Sequence, residues 1–198
     1  KTLAENDKVS GVGDGKFNPD GTVTRAEFLK MAMDSLGIVG HAYRDGECLD
    51  ATNDDWYCYY LQGALDKDII PKEMIENCNV TKVTKTLAEA TDDKEAVTTD
   101  VNVYTGKFDG DKPITREEMA AIAVRCKNYK MRRLTDWDNE RRYPIFSFKD
   151  SDEIDEKYIS DVVEAYNLNY IDGMEDGRFA PKENLTRAQA AVVMNNLK

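Results

Sequence analysis

Gly173-Met-Glu-Asp-Gly-Arg-Phe-Ala-Pro181, followed by Thr186-Arg-Ala-Gln189, is the stretch that decides the fold, because the chain contains it more than once. Gly11-Val-Gly-Asp-Gly-Lys-Phe-Asn-Pro19, then Thr24-Arg-Ala-Glu27, repeats it near the N-terminus without a gap. A weaker third copy reads Gly106-Lys-Phe108, then Thr115-Arg-Glu-Glu118. Phe17, Phe108 and Phe179 each precede their threonine by seven residues. Internal repeats of this kind belong to architectures in which one unit cannot bury its own apolar face.

Each copy carries the same local physics. The Asp-Gly or Thr-Gly pair makes a turn, since glycine supplies positive φ without steric cost. The phenylalanine plugs a core. Thr24, Thr115 and Thr186 then open capping boxes, with Glu27, Glu118 and Gln189 reaching back from the third helical position. Helices are predicted to follow, with apolar faces of Phe28, Met31, Ala32 and Leu36; of Met119, Ile122, Ala123 and Cys126; and of Ala190, Val193, Met194 and Leu197. Shorter helical patterns precede the turn in two copies, from Trp56 to Leu65 and from Tyr158 to Leu168. Each is introduced by an aromatic-x-Asp segment, Tyr43-Arg44-Asp45 and Phe148-Lys149-Asp150. The unit is a lead-in loop, helix, turn and helix, of about 50 residues in its least interrupted form.

Composition narrows the function. The 198 residues hold 27 Lys+Arg against 38 Asp+Glu, a net charge of −11, and a single histidine, His41. That balance argues against nucleic acid and against attachment to an anionic membrane surface. One histidine leaves no imidazole triad or multi-histidine zinc site. No apolar run reaches membrane-spanning length. The start at Lys1, without Met or an apolar leader, reads as a processed or excised piece. Four cysteines allow three disulfide connectivities. Cys48 and Cys78 are the expected pair in a secreted protein, and Cys126 continues an apolar helix face as a core thiol.

These motifs resemble the S-layer homology domain, whose hallmark is a Gly-x-x-Asp-Gly-x-Phe turn followed by Thr-Arg-Ala-Glu. The resemblance covers nearly the whole chain and implies a mostly α fold of three helix-loop-helix repeats forming a pseudo-threefold bundle. Repeat one is expected over 1–38, with most of its first helix missing. Repeat two follows over 39–127, with an insertion at about 72–103. A basic linker over 128–144 leads to repeat three over 145–198. The resemblance further implies an extracellular module of the bacterial cell wall that binds anionic secondary cell-wall polysaccharide, commonly through pyruvylated N-acetylmannosamine. A fused cargo protein would lie outside this piece. No cofactor, metal or membrane insertion is expected.

Arg25, Arg116 and Arg187 are the residues that capping does not explain. Each puts a positive charge at the positive end of a helix dipole, a penalty of some tenths of a kcal/mol. Either they pair with acids of a neighbouring copy, or they join helix N-terminal amides in gripping a carboxylate. On the second reading the backbone around Gly15, Gly106 and Gly177 assists, and Asp14 and Asp176 orient sugar hydroxyls. Trp56, Tyr57 and Tyr158 are candidates to pack on sugar faces, although aromatics at helical spacing are more often core. Copy two departs from the pattern, with Thr105 in place of Asp and Gly110 in place of Pro. Residues 125–142 carry seven basic against three acidic side chains, either a solvated helix end or an anion-facing rim.

Two rival functions fail on the residues. An EF-hand loop centred on Gly21 puts Lys16 where a carboxylate is required, and one centred on Gly110 puts Thr105 there. A carbohydrate-active enzyme needs a carboxylate pair with separated pKa values, and no pair is set in apolar surroundings. A structural surface-layer assembly segment without glycan binding is the remaining alternative.

Overall fold

The three threonines start helices as their sequence context requires. Thr24 Oγ1 accepts from Glu27 N at 3.2 Å while Thr24 N donates to Glu27 Oε2 at 2.9 Å. Thr115 and Glu118 form the same reciprocal pair, at 3.4 and 3.2 Å. Thr186 and Gln189 do so at 3.2 and 3.0 Å. In the computed structural model, which describes residues 18–40, 47–52, 54–88, 96–131 and 148–198, these boxes open α1 (Arg25–Leu36), α3 (Arg116–Lys130) and α5 (Arg187–Asn196). Between α1 and α3 come β1 (Glu47–Cys48), β2 (Ala51–Thr52), α2 (Cys58–Asp66), β3 (Glu76–Ala88) and β4 (Val97–Lys107), and α4 (Ile159–Asn167) precedes α5. Gly37, at φ 62°, closes α1 in the left-handed conformation that residues with a Cβ resist.

A closed ring of backbone hydrogen bonds ties the three copies together. Val23 N donates to Leu185 O at 3.0 Å, Leu185 N to Ile114 O at 2.9 Å, and Ile114 N to Val23 O at 2.9 Å. All three side chains are fully buried. Just beyond, each helix start leans on the turn of another copy. Arg25 N and Ala26 N donate to Lys112 O and Gly110 O; Arg116 N and Glu117 N to Glu183 O and Pro181 O; Arg187 N and Ala188 N to Gly21 O and Pro19 O. The capping threonine takes the third amide. The donors that a helix leaves orphaned at its start are thereby used up inside the protein.

The core collects the phenylalanines of the motif and the helix faces. Phe28, Phe108 and Phe179 are fully buried, with Leu29, Met33, Leu61, Ile122 and Met194 among them. Helix α3 packs on α1 and α4, and α1 also meets α2 and α5. The residue after the motif phenylalanine takes positive φ in every copy: Asn18 at 50°, Asp109 at 60° and Ala180 at 58°. A carboxylate holds this bend in two of them. Asp150 accepts from Phe179 N and Ala180 N, both at 2.8 Å. Asp50 accepts from Phe108 N at 2.7 Å and Asp109 N at 2.9 Å.

Two expectations need correction. The fold is not plainly α, because the insertion of copy two is a long antiparallel hairpin, β3 against β4, with Val80 opposite Tyr104 and Val83 opposite Val101. Alternating β-branched residues explain it: Thr81, Val83, Thr99, Val101 and Val103 fit a pleated, half-buried surface better than a helix. Second, Cys78 is a free thiol, so the expected bridge to Cys48 is not made; Cys78 instead packs partly buried against the core. The clamp of copy two is Asp50, and the Tyr43-Arg44-Asp45 segment lies outside the described residues. The start of copy one, with Asp14, Gly15 and Phe17, also lies outside them, as does the basic stretch 132–147. Cys126 is a buried free thiol on α3, and burial pushes its pKa up.

Candidate functional site

Arginine at the first helical position reaches from one copy into the next. Arg25 Nη1 donates to Phe108 O at 2.6 Å, and its Nε donates to Glu118 Oε2 at 3.1 Å, with Nη2 bonded to Glu118 Oε1. Arg116 Nε donates to Phe179 O at 2.7 Å, and Nη2 to Asp172 O at 2.9 Å. Both guanidinium groups lie by the ring of the phenylalanine whose carbonyl they hold, 6.0 Å from Phe108 and 5.1 Å from Phe179. They are buried, at 7% and 5% exposure. Burial is the main influence on Arg116 and lowers its pKa, against the pull of Glu183, Asp150 and Asp172. Arg187 is half-buried, and the carbonyl in the matching place would be that of Phe17, which is outside the described residues.

Of the two roles that the sequence left open, pairing with an acid is seen at one arginine. Arg25 makes a buried ion pair with an acid of the neighbouring copy, and Arg116 does not. The expected convergence of helix N-terminal amides on a ligand carboxylate does not occur at these helices. Their first amides already donate to the neighbouring turn.

A cleft of about 460 Å³ opens beside the Arg25–Glu118 pair. Lys107, Lys112, Lys157 and Lys182 line it together with Tyr158, and so do Glu73, Glu76, Asp109, Glu117 and Asp155. Much of this charge is already matched. Lys182 Nζ lies 2.7 Å from both Glu117 Oε1 and Asp155 Oδ1. Burial raises the Glu117 pKa, against the lowering by Lys182, while the Lys182 hydrogen bond holds Asp155 below the usual carboxylate range.

The remaining candidates are scattered around the turns. Asp176 is exposed and pinned by Arg178, whose N and Nε donate at 3.0 and 2.8 Å, which depresses its pKa. Gly177 sits beside it at φ 85°. Gly106, at φ 136°, forms the base of the hairpin, where a Cβ would meet Glu76 O at 2.7 Å. Of the three aromatic candidates, Tyr57 and Tyr158 are buried and Trp56 is 53% exposed. Trp56 precedes the buried Tyr57 as Lys157 precedes the buried Tyr158, so it stands where the cleft has Lys157. Among the described residues, no group of three or more His, Cys, Asp or Glu side chains is placed to hold a metal, and no helix is long and apolar enough to cross a membrane.

Sequence reasoning missed Asp50, Glu118 as an ion-pair partner, and the pair of half-buried Arg125 with buried Asp161 between α3 and α4, at 3.3 Å. It also missed the ring, although one apolar residue stands before every capping threonine: Val23, Ile114 and Leu185.

Helical units joined through a backbone ring, with an arginine straddling each described joint, define a repeat-built module. The chain matches the S-layer homology domain over residues 1–29 and 147–191. It is 32% identical over 197 residues to an amylopullulanase of Thermoanaerobacterium thermosulfurigenes, covering 100% of this chain and 9% of that protein. It is 32% identical over 200 residues to exoglucanase XynX of Acetivibrio thermocellus, covering 100% and 15%. To an endoglucanase of Bacillus sp. (strain KSM-635) it is 30% identical over 197 residues, covering 100% and 17%. The chain thus spans less than a fifth of these relatives. It corresponds to their non-catalytic S-layer homology region, and their catalytic parts lie outside it. S-layer homology domains bind cell-wall polysaccharide and imply anchoring at the cell surface.

Proposed function

We infer that the chain is a non-catalytic anchor that holds a larger protein on the bacterial cell wall by binding anionic, pyruvylated secondary cell-wall polysaccharide. On this reading three helix-loop-helix units, with boundaries near 38, 127 and 145, surround a pseudo-threefold axis, and the sugar lies in grooves between them. The cyclic bonding of Val23, Ile114 and Leu185 supports the symmetry. The observation that carries the ligand reading is the arginine kept at the same helical position in all three copies, against the helix dipole and at the joints between units. A ketal carboxylate on N-acetylmannosamine matches the free edge of a guanidinium. Arg116 and Arg187 face the acidic sugar, Arg25 being held by Glu118 and Phe108 O; Asp14 and Asp176 orient hydroxyls, and the backbone at Gly15, Gly106 and Gly177 lets the chain approach. Trp56 offers a sugar-stacking face. The relatives' names make a polysaccharide hydrolase the expected cargo.

The test is a melting curve in the presence of a methyl glycoside of 4,6-pyruvylated N-acetylmannosamine, with the ketal-free glycoside as control. Selective binding to the folded state raises Tm with the first and not the second. No rise with either points to the purely structural assembly segment.

A further inference from the structure

The joints between copies are not chemically alike. Arg25 faces Glu118, the third residue of α3, and forms a buried ion pair with it. The residue that stands in the same place for Arg116 is Gln189, the third residue of α5. Gln189 keeps the capping box intact, since its Oε1 accepts from Thr186 N at 3.0 Å and its own amide donates to Thr186 Oγ1 at 3.2 Å. An amide carries no charge, however, and cannot give Arg116 what Glu118 gives Arg25.

The consequence is visible at Arg116. It is 5% exposed, yet its hydrogen-bond partners among the described residues are two carbonyls, Phe179 O and Asp172 O. No carboxylate of the described residues lies within ion-pair distance of it, and Nη1 has no acceptor among them. Glu183, Asp150 and Asp172 act on it only through space, so the buried guanidinium lacks a direct ion pair and bears a desolvation cost that a bound carboxylate would offset. Beside Arg25 the situation is reversed. Glu118 occupies Nε and Nη2, Phe108 O occupies Nη1, and Lys182 is bridged between Glu117 and Asp155. Lys107 lies 3.3 Å from Asp109 and Lys157 3.8 Å from Asp155, so acidic side chains match and outnumber the basic ones around that cleft.

We propose that Gln189 is the specificity-determining residue of the array: it leaves Arg116 open to a carboxylate-bearing sugar, while Glu118 closes Arg25 to one. The proposal rests on the anchoring reading and names the joint that does the binding, the one between the second and third copies. A change from amide to acid at one position, with the helix cap unchanged, switches a joint from binding to structural.

The test is calorimetric titration of the chain, Gln189→Glu and Glu118→Gln with the methyl glycoside of 4,6-pyruvylated N-acetylmannosamine, with far-ultraviolet circular dichroism of each protein. Gln189→Glu builds the missing ion pair, so affinity falls at least tenfold while Tm holds or rises. Glu118→Gln frees Arg25, so a second equivalent of sugar binds, or the overall affinity rises several-fold. Unchanged affinity in a folded Gln189→Glu protein overturns the proposal. If that variant does not fold, Glu118→Gln decides alone: a second equivalent supports the proposal and unaltered stoichiometry and affinity overturn it. Absence of binding by the unsubstituted chain fails the anchoring reading instead, which keeps the two outcomes distinct.

Discussion

Asp150→Ala removes the carboxylate that holds the bend after Phe179, and the structure sets the size of the loss. Asp150 is 4% exposed and accepts two backbone amides at 2.8 Å. Those amides belong to Phe179 and Ala180, which are 0% and 2% exposed, so water does not readily replace the lost acceptor. Leaving a buried donor unsatisfied costs about 1–3 kcal/mol, so two cost about 4 kcal/mol. For a chain of this size that is a fall in Tm on the order of 10 °C. Asp50 is the internal control, because it makes the same pair of bonds to Phe108 and Asp109 from an exposed position. Water reaches the Asp109 amide but not the Phe108 one, since Phe108 is fully buried, so Asp50→Ala costs about 2 kcal/mol, or roughly 6 °C. Thermal and urea melts followed by circular dichroism read both variants. Equal losses from the two substitutions, or a change of under roughly 3 °C for Asp150→Ala, would refute the reasoning from burial.

Asp161 is fully buried, with Oδ1 unpartnered, and burial pushes its carboxyl up from 3.8 to about 6 despite Arg125. The folded value lies above the unfolded one, so its contribution to stability is fullest below pH 4 and is lost as pH rises through about 6. Asp161→Asn should remove up to about 3 kcal/mol of that dependence, read as a smaller Tm difference between pH 4.5 and 7; an unchanged difference rejects the assignment. Gly106→Ala forces a Cβ to 2.7 Å from Glu76 O at φ 136°, whereas Gly177→Ala would meet only Lys149 Cε at 3.3 Å. Both strain the backbone, but Gly106→Ala should lower Tm further, by about 2 kcal/mol or more in equivalent stability, and equal melts would contradict this. Replacing residues 81–103 by an Asn-Gly turn joins Val80 to its partner Tyr104 and keeps Cys78 and Tyr104 against the core. Helical circular dichroism should persist with Tm shifted by only a few degrees, and loss of cooperative melting would show that the hairpin is part of the core.

The repeated motif made the helix starts legible, because a capping box is local: threonine and the residue three further on need no tertiary partner to make it intelligible. The phenylalanines and helix faces were legible for the same reason, through spacing alone. What sequence could not supply was which groups meet across copies. Arg25 and Glu118 are far apart along the chain, and only the ring through Val23, Ile114 and Leu185 brings them together. The arginines were rightly singled out as lacking a local explanation, yet their burial and their hold on the next phenylalanine carbonyl were invisible. The hairpin form of the insertion is hard to read because its polar surface masks a period-two pattern, clearest in Val101-Asn102-Val103-Tyr104. Asp50 carried no signal because no aromatic stands two residues before it, as Phe148 does before Asp150.

The central claim is that this array holds the cell wall through the carboxylate of a pyruvylated sugar. Co-sedimentation of the chain with sacculi bearing pyruvylated polysaccharide, before and after mild-acid removal of the ketal, tests it most directly. The account requires that the chain pellet with the untreated sacculi and stay in solution with the treated ones. Equal pelleting with both, or pelleting with neither, would contradict it.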